Sequence, residues 1–216
     1  MWSAPLSDLR CERAYRSEAG QQGKRPEGEA EGCVCESVDS QPSSGDACEH
    51  AAGKSPEDYF AEALSSKKRK ELRRQLARLC EEGAVNFVRQ ADDEGLGKWT
   101  DRFLELEQAG WKGKAGSALA QQATTEALFR QSLVGAAAHG RLERLSLTLD
   151  GRPIAMLANF ITAPGAFSFK TTYDEAYSRF SPGVLLQCEN LLMLDRPDVA
   201  WTEDRKSTRL NSSHRH

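Results

Sequence analysis

The chain has 216 residues, a net charge of -3 and 39% hydrophobic residues, enough for one ordinary domain core if the apolar side chains are concentrated. That charge excludes a protein that coats nucleic acid through bulk positive charge, so no DNA partner is expected. No stretch approaches the roughly 18 to 20 apolar residues of a membrane span, and no apolar core follows Met1-Trp2-Ser3-Ala4 to make a secretory signal. A cytoplasmic protein without a membrane span is therefore expected.

Residues 1–54 hold few large apolar side chains and are rich in Gly, Ser, Glu and Gln, which marks them as a disordered leader. Cys11, Cys33, Cys35 and Cys48 fall there, whereas a secreted disulfide scaffold would spread its cysteines through the folded part. Cys33, Cys35, Cys48 and His50 have the composition of a zinc site, but the first pair is Cys-x-Cys and nothing around it forms a knuckle, so no metal is expected.

Patterned sequence begins near Tyr59. Between Lys67 and Glu82, Leu72, Leu76, Leu79 and Cys80 share one helical face, with Gly83 as the stop. The same helix carries Lys67, Lys68, Arg69, Lys70, Arg73, Arg74 and Arg78, read as a solvated face in preference to a nucleic-acid patch, since no aromatic interleaving accompanies it. A short alternating strand follows over Ala84 to Arg89. Trp99, Phe103 and Leu106 line a second helix from about Lys98 to Gln108, ended by Gly110. A loop, Trp111-Lys112-Gly113-Lys114-Ala115-Gly116, leads to a third helix capped by Ser117 that runs through Leu128, Phe129 and Leu133 to about Gly140.

The second half switches to strands. Leu145, Leu147 and Leu149 alternate with polar residues, Asp150-Gly151 supplies a two-residue turn, and Ile154 to Ile161 returns as the other arm of a hairpin. After Pro164-Gly165, Phe167 to Tyr173 forms a third strand of this half. A helix then opens on Ser181-Pro182-Gly183, with Ser at the N-cap and Pro at the first helical position, and its exposed N–H groups attract anions. Cys188 lies in that helix and reads as core packing.

Three segments carry a family resemblance: KKRKELRR, LELEQAGWKGKAGSAL, and a Lys-x-x-Tyr-Asp-Glu-x-Tyr stretch followed by Phe-Ser-Pro-Gly-x-Leu-Leu. Together they resemble bacterial GNAT acyltransferases of the BioF-like, CelD-like branch, which is associated with cellulose biosynthesis and related to the FemAB aminoacyl transferases. The resemblance spans about residues 57–203. It implies an α/β (α+β) fold with a mixed, mostly antiparallel sheet flanked by helices, and acetyl-CoA or another acyl-CoA as co-substrate for transfer to a small-molecule or glycan amine. By carry-over, Ser181, Gly183 and Val184 offer backbone N–H groups to the pyrophosphate. Asp174, Glu175 and Tyr173 are the catalytic candidates, with a solvated charged loop as the alternative for the carboxylates. Trp111, Lys112 and Lys170 line the acceptor side, with a packing plug as the alternative for Trp111.

Two other functions remain open at this point. One is a FemAB-like transferase using aminoacyl-tRNA, for which the basic helix would bind RNA phosphates. The other is a non-enzymatic adaptor built on an eroded acyltransferase core. The end of the sequence, DRKSTRLNSSH, looks like one reading frame of a sequencing-library adapter, so residues 204–216 are expected to be artefactual and the domain, residues 55–203, to be incomplete at its C-terminus. The fragment is accordingly expected to be inactive, with the Phe167–Tyr173 strand as an open apolar edge.

Overall fold

The computed structural model describes residues 55–204, so the expectations for the leader, its cysteines and the tail beyond Asp204 lie outside the described residues. Two helices begin it. Helix α1 (Pro56–Ala63) is capped by the Ser55 hydroxyl, which accepts from the Asp58 N–H, and α2 (Ser66–Glu82) by Ser65, which accepts from the Lys68 N–H. Leu72, Leu76 and Leu79 are buried as their spacing requires, while Cys80 is only half-buried.

The centre is a five-stranded sheet in the order β1 (Val85–Gln90), β2 (Leu142–Leu149), β3 (Arg152–Thr162), β4 (Gly165–Tyr173), β5 (Trp201–Asp204). All neighbours are antiparallel except β4 and β5, which run parallel. Asp150 (φ 50°) and Gly151 (φ 79°) make the tight turn of the β2–β3 hairpin, as their dipeptide predicts. The Asp150 carboxylate also accepts from the Ala84 N–H at 2.8 Å, tying the turn to the start of β1.

Helices cover both faces. On one side α1, α2 and α6 (Pro182–Asn190) pack on Leu145, Leu147, Leu149, Ala155 and Leu157. On the other, α3 (Leu96–Ala109) and α5 (Ala123–Ala138) pack on Leu142, Met156 and Ala158. For this reason the alternation of β2 does not leave a wet face: all eight of its residues are buried. Its polar members are bonded instead. Ser146 accepts from the Trp99 indole at 3.0 Å, Arg144 donates to the carbonyls of Asp92 and Glu94, and Glu143 holds Arg89 and Arg196.

The loop after Gly110, the Ser117 cap and the open β4 edge need correction. The segment after Gly110 is a helical turn, α4 (Trp111–Lys114), closed by Gly116 (φ 72°) and by the Ser117 N–H bonded to the Lys112 carbonyl. Ser117 thus ends α4 and does not cap the next helix, which starts at Ala123 without a side-chain cap. That helix, α5, runs through Leu128, Phe129 and Leu133 as expected, with Phe129 and Leu133 buried and Leu128 exposed. Finally, the β4 edge is not open throughout: Gly165–Ser168 pairs with β5, a strand that includes Asp204.

Candidate functional site

The site takes shape where β4 runs past the end of its pairing with β5. Between the pairs Ala158–Lys170 and Asn159–Ser168 the register skips Phe169, a β-bulge. A closed ring of buried and partly buried hydrogen bonds fixes this point. Asn159 Nδ2 donates to Asn190 Oδ1 at 2.7 Å, Asn190 Nδ2 to Ser168 Oγ at 3.1 Å, and Ser168 Oγ to Asn159 Oδ1 at 3.1 Å. Each amide in the ring is satisfied from the other two residues, so the end of α6 is locked to the bulge and its start is aimed along β4.

A cavity of about 370 Å³ lies there, bounded by Thr171, Thr172 and Tyr173 of β4, Ser181, Gly183, Val184 and Gln187 at the start of α6, and Glu107, Trp111 and Lys112 from the α3–α4 junction. Gln187 Nε2 donates to Thr171 Oγ1 at 3.1 Å, bridging helix and strand across its floor.

The α6 entry differs from a Ser-capped helix. Ser181 sits in the left-handed region (φ 52°, ψ 49°) and its side chain accepts no cap bond. Its N–H is taken by the Ser178 carbonyl, and the Val184 N–H by the Ser181 carbonyl at 2.9 Å. Pro182 has no N–H, so the Gly183 N–H is the one member of this first turn without an acceptor among the described residues. Of the three amides expected to face a phosphate, two are therefore engaged within the chain. A Cβ at Gly183 would stand 3.3 Å from the Tyr173 ring, a tight contact that glycine avoids.

Across the cavity, Lys112 Nζ donates to Glu107 Oε1 at 2.6 Å and to the Thr171 carbonyl at 3.2 Å. Glu107 Oε2 accepts from the Leu119 N–H at 2.8 Å, and the Glu107 side chain is 1% exposed. The Trp-Lys-Gly triplet gains its physical reason from this corner. A Cβ at Gly113 would collide with the Gln108 carbonyl, so only glycine lets α4 fold back on α3 and bring Lys112 to Glu107.

Of the residues expected at the site, Trp111, Lys112, Tyr173, Ser181, Gly183 and Val184 line the cavity. Trp111 is 52% exposed, so it is no packing plug. Lys170, Asp174 and Glu175 do not line it. Lys170 lies beyond the bulge opposite Ala158, on the face of α3 and α5. Asp174 caps the following 3-10 turn, accepting from the Ala176 N–H at 3.0 Å, and also meets Arg152. Glu175 pairs outside with Lys114 at 2.7 Å, and this bond lowers its pKa from the ordinary carboxylate value. Glu107, Thr171, Thr172 and Gln187 were not expected. For Glu107 a signal existed: it follows Phe103 by four positions, placing a carboxylate within the buried stripe, with a lysine five residues on.

Among the described residues no group of His, Cys, Asp and Glu side chains is placed to hold a metal ion, and no helix is long and apolar enough to cross a membrane. The basic run of α2 is partly committed within the chain: Arg69 donates to the carbonyls of Ala61 and Leu64, closing α1, and Arg74 pairs with Glu71.

Among solved structures, the chain is similar to an aminoglycoside acetyltransferase from an uncultured soil metagenomic sample, at 15% identity over 61% of this chain and 91% of the other, with a TM-score of 0.42. A GCN5-related N-acetyltransferase from Ralstonia eutropha JMP134 matches at 13% identity over 61% and 94%, with a TM-score of 0.46. A ribosomal-protein-alanine N-acetyltransferase from Brucella melitensis biovar Abortus 2308 matches at 10% identity over 59% and 87%, with a TM-score of 0.38. No curated protein sequence matches the chain. The model of the acetyltransferase (GNAT) domain matches residues 66–191, more than half of the chain, which therefore belongs to the GNAT acetyltransferase family.

Proposed function

We propose that the protein is an acyl-CoA-dependent N-acyltransferase of the BioF-like, CelD-like branch, and that its acceptor is a small-molecule or glycan amine in bacterial polysaccharide biosynthesis or export. One observation carries the reading: a single cavity joins the β4 edge at Thr171–Tyr173, the acceptor-free Gly183 N–H and the Trp111–Lys112 turn. These features fit acyl-CoA. An unpaired N–H at the start of a nine-residue helix is a donor for a phosphate oxygen, and the bare Gly183 lets the phosphate approach the backbone. The mostly apolar wall of Tyr173, Pro182 and Val184 suits a pantetheine arm.

Catalysis in this reading is alignment first: bound thioester and amine are held together in a cavity that limits water. Tyr173 takes the catalytic role among the three candidates because it is the one of them that lines the cavity, its hydroxyl serving as a donor to the leaving sulfur. Asp174 and Glu175 shape the loop that carries Ser178 and Ser181. The half-exposed Trp111 offers an apolar platform for the acceptor at the mouth.

A thermal-shift and titration series tests this. Acetyl-CoA and longer acyl-CoA should stabilise the protein, and amino-sugar acceptors should release free thiol from acetyl-CoA. Stabilisation by tRNA and not by acyl-CoA would replace the reading with the aminoacyl-tRNA transferase. No response to either would favour the adaptor.

A further inference from the structure

We propose that Lys112 is a catalytic residue that stabilises the oxyanion formed when the acceptor amine attacks the thioester, and that Glu107 is the positioning residue that aims it. The assignment rests on the acyl-CoA reading above and deepens it. An ammonium has three N–H donors. Two of those on Lys112 are accepted, by Glu107 Oε1 and by the Thr171 carbonyl, and the third has no acceptor among the described residues. The side chain is 16% exposed and forms part of the cavity wall, so that remaining donor is the polar group the cavity can use.

The two bonds fix the Nζ position. Glu107 is itself immobilised, because its second oxygen takes the Leu119 N–H and its side chain is almost fully buried. Thr171, the other anchor, belongs to the β4 stretch along which the thioester lies in the acyl-CoA reading. A preorganised donor in a partly dry site is the arrangement that stabilises developing negative charge without reorganising at the moment of reaction. Lys112 is also neutralised as a pair with Glu107, so the cavity carries no net positive charge from this corner to repel an incoming amine.

In the step itself the neutral amine nitrogen forms a bond to the thioester carbonyl carbon, and the carbonyl π electrons move onto oxygen, giving an oxyanion to which the Lys112 N–H donates a hydrogen bond. Collapse re-forms the carbonyl and breaks the carbon–sulfur bond. The electron pair leaves on sulfur, which takes the proton shed by nitrogen, giving an amide and a free thiol.

The test uses the full chain and acetyl-CoA carrying carbon-13 at the thioester carbonyl. Calorimetric titration with unlabelled CoA reports binding alone, and infrared and carbon-13 spectra of the bound acetyl group report polarisation of the carbonyl. For the wild type the expected result is CoA binding, with the carbonyl stretch moved to lower frequency and the carbon resonance downfield relative to acetyl-CoA in solution. Lys112→Met should retain CoA binding and lose both spectral shifts, and Glu107→Gln should reduce them. Turnover with any accepted amine should fall about 10²- to 10³-fold in Lys112→Met, with the loss in kcat. Because Lys112→Met leaves a buried carboxylate without its cation, the double variant Glu107→Gln/Lys112→Met provides a second, uncharged background that should also lack the shifts. Unchanged shifts in any folded Lys112→Met variant that binds CoA would overturn the assignment while leaving the acyl-CoA reading intact. No CoA binding by the wild type would overturn both.

Discussion

Gly183 and Tyr173 meet at the junction of helix and sheet: a Cβ on the glycine would stand 3.3 Å from the tyrosine Cδ1, so the first turn of α6 lies closely on the last residue of β4 and a side chain there would press on the ring. This contact places the Gly183 N–H, which has no acceptor among the described residues, at the wall of the cavity.

Gly183→Val should therefore weaken CoA binding while leaving most of the fold in place. Its φ does not lie in the left-handed region, so valine meets a steric obstacle at Tyr173 and at an approaching phosphate, and no backbone obstacle. Loss of one charge-assisted hydrogen bond corresponds to about 1.5 to 3 kcal/mol, or a loss of roughly tenfold to a hundredfold in affinity. Isothermal titration of a folded variant decides the point, and unchanged affinity would remove the loop from the site.

Ser181 should show the opposite sign for stability. It holds a left-handed conformation at φ 52° that costs a non-glycine residue about 1 kcal/mol, and its hydroxyl makes no cap bond in return. Ser181→Gly is expected to raise the denaturation midpoint. Ser181 lines the cavity, so the same variant should bind CoA less tightly through loss of its hydroxyl. A variant that is less stable than the wild type would show that the strain is not relieved.

What the sequence allowed and what it withheld follow from the range of the interactions. Short-range signals were legible: the Asp150-Gly151 turn, the Leu72, Leu76 and Leu79 face, and the Ser-Pro-Gly helix start all depend on residues within a few positions of each other. The β-bulge at Phe169 was not, because it is defined by pairing with Asn159 on another strand. Lys170 follows ordinary alternation: it stands three residues before Tyr173 with no bulge between them, so it falls opposite Ala158 on the α3 and α5 face and outside the cavity. The capping bond of Asp174 was not legible either. A carboxylate next to a catalytic loop and a carboxylate capping a 3-10 turn look alike until the Ala176 N–H is seen to reach it.

Cys188 gives a pH-dependent prediction. Burial pushes its thiol up to about 12, so the folded protein keeps a proton that the unfolded chain releases above about 8.5. Below that value the thiol is neutral in both states and contributes no pH dependence. Above it stability falls as pH rises, by about 2 kcal/mol at pH 10, and the fall ends only near the folded value. Cys188→Ala should lower stability at neutral pH through the lost packing, yet its stability should fall less steeply than that of the wild type between pH 8.5 and 10. Parallel urea denaturation curves across that range would refute the effect. In the native wild type at pH 8, mass-spectrometric mapping should find Cys188 unlabelled by a thiol reagent while the half-buried Cys80 reacts.

Gly165 and Trp201 provide the most direct test of the parallel strand pair beside the site. They are register partners, and a Cβ on Gly165 would clash with the indole ring, which also meets Phe167 edge-on at a centroid distance of 5.2 Å and an interplanar angle of 88°. Gly165→Ala should therefore force Trp201 off β4 and cost about 1 to 3 kcal/mol, the range for overpacking a filled position. Trp201→Ala alone should also destabilise, by loss of the aromatic contact. In the double variant the added methyl has space, so its penalty should largely vanish and the two effects should fall short of additivity by at least about 0.5 kcal/mol. Thermal or urea denaturation of the four proteins measures this coupling. Strict additivity would mean that the indole does not rest on Gly165 and that β5 is not held against β4 in this register.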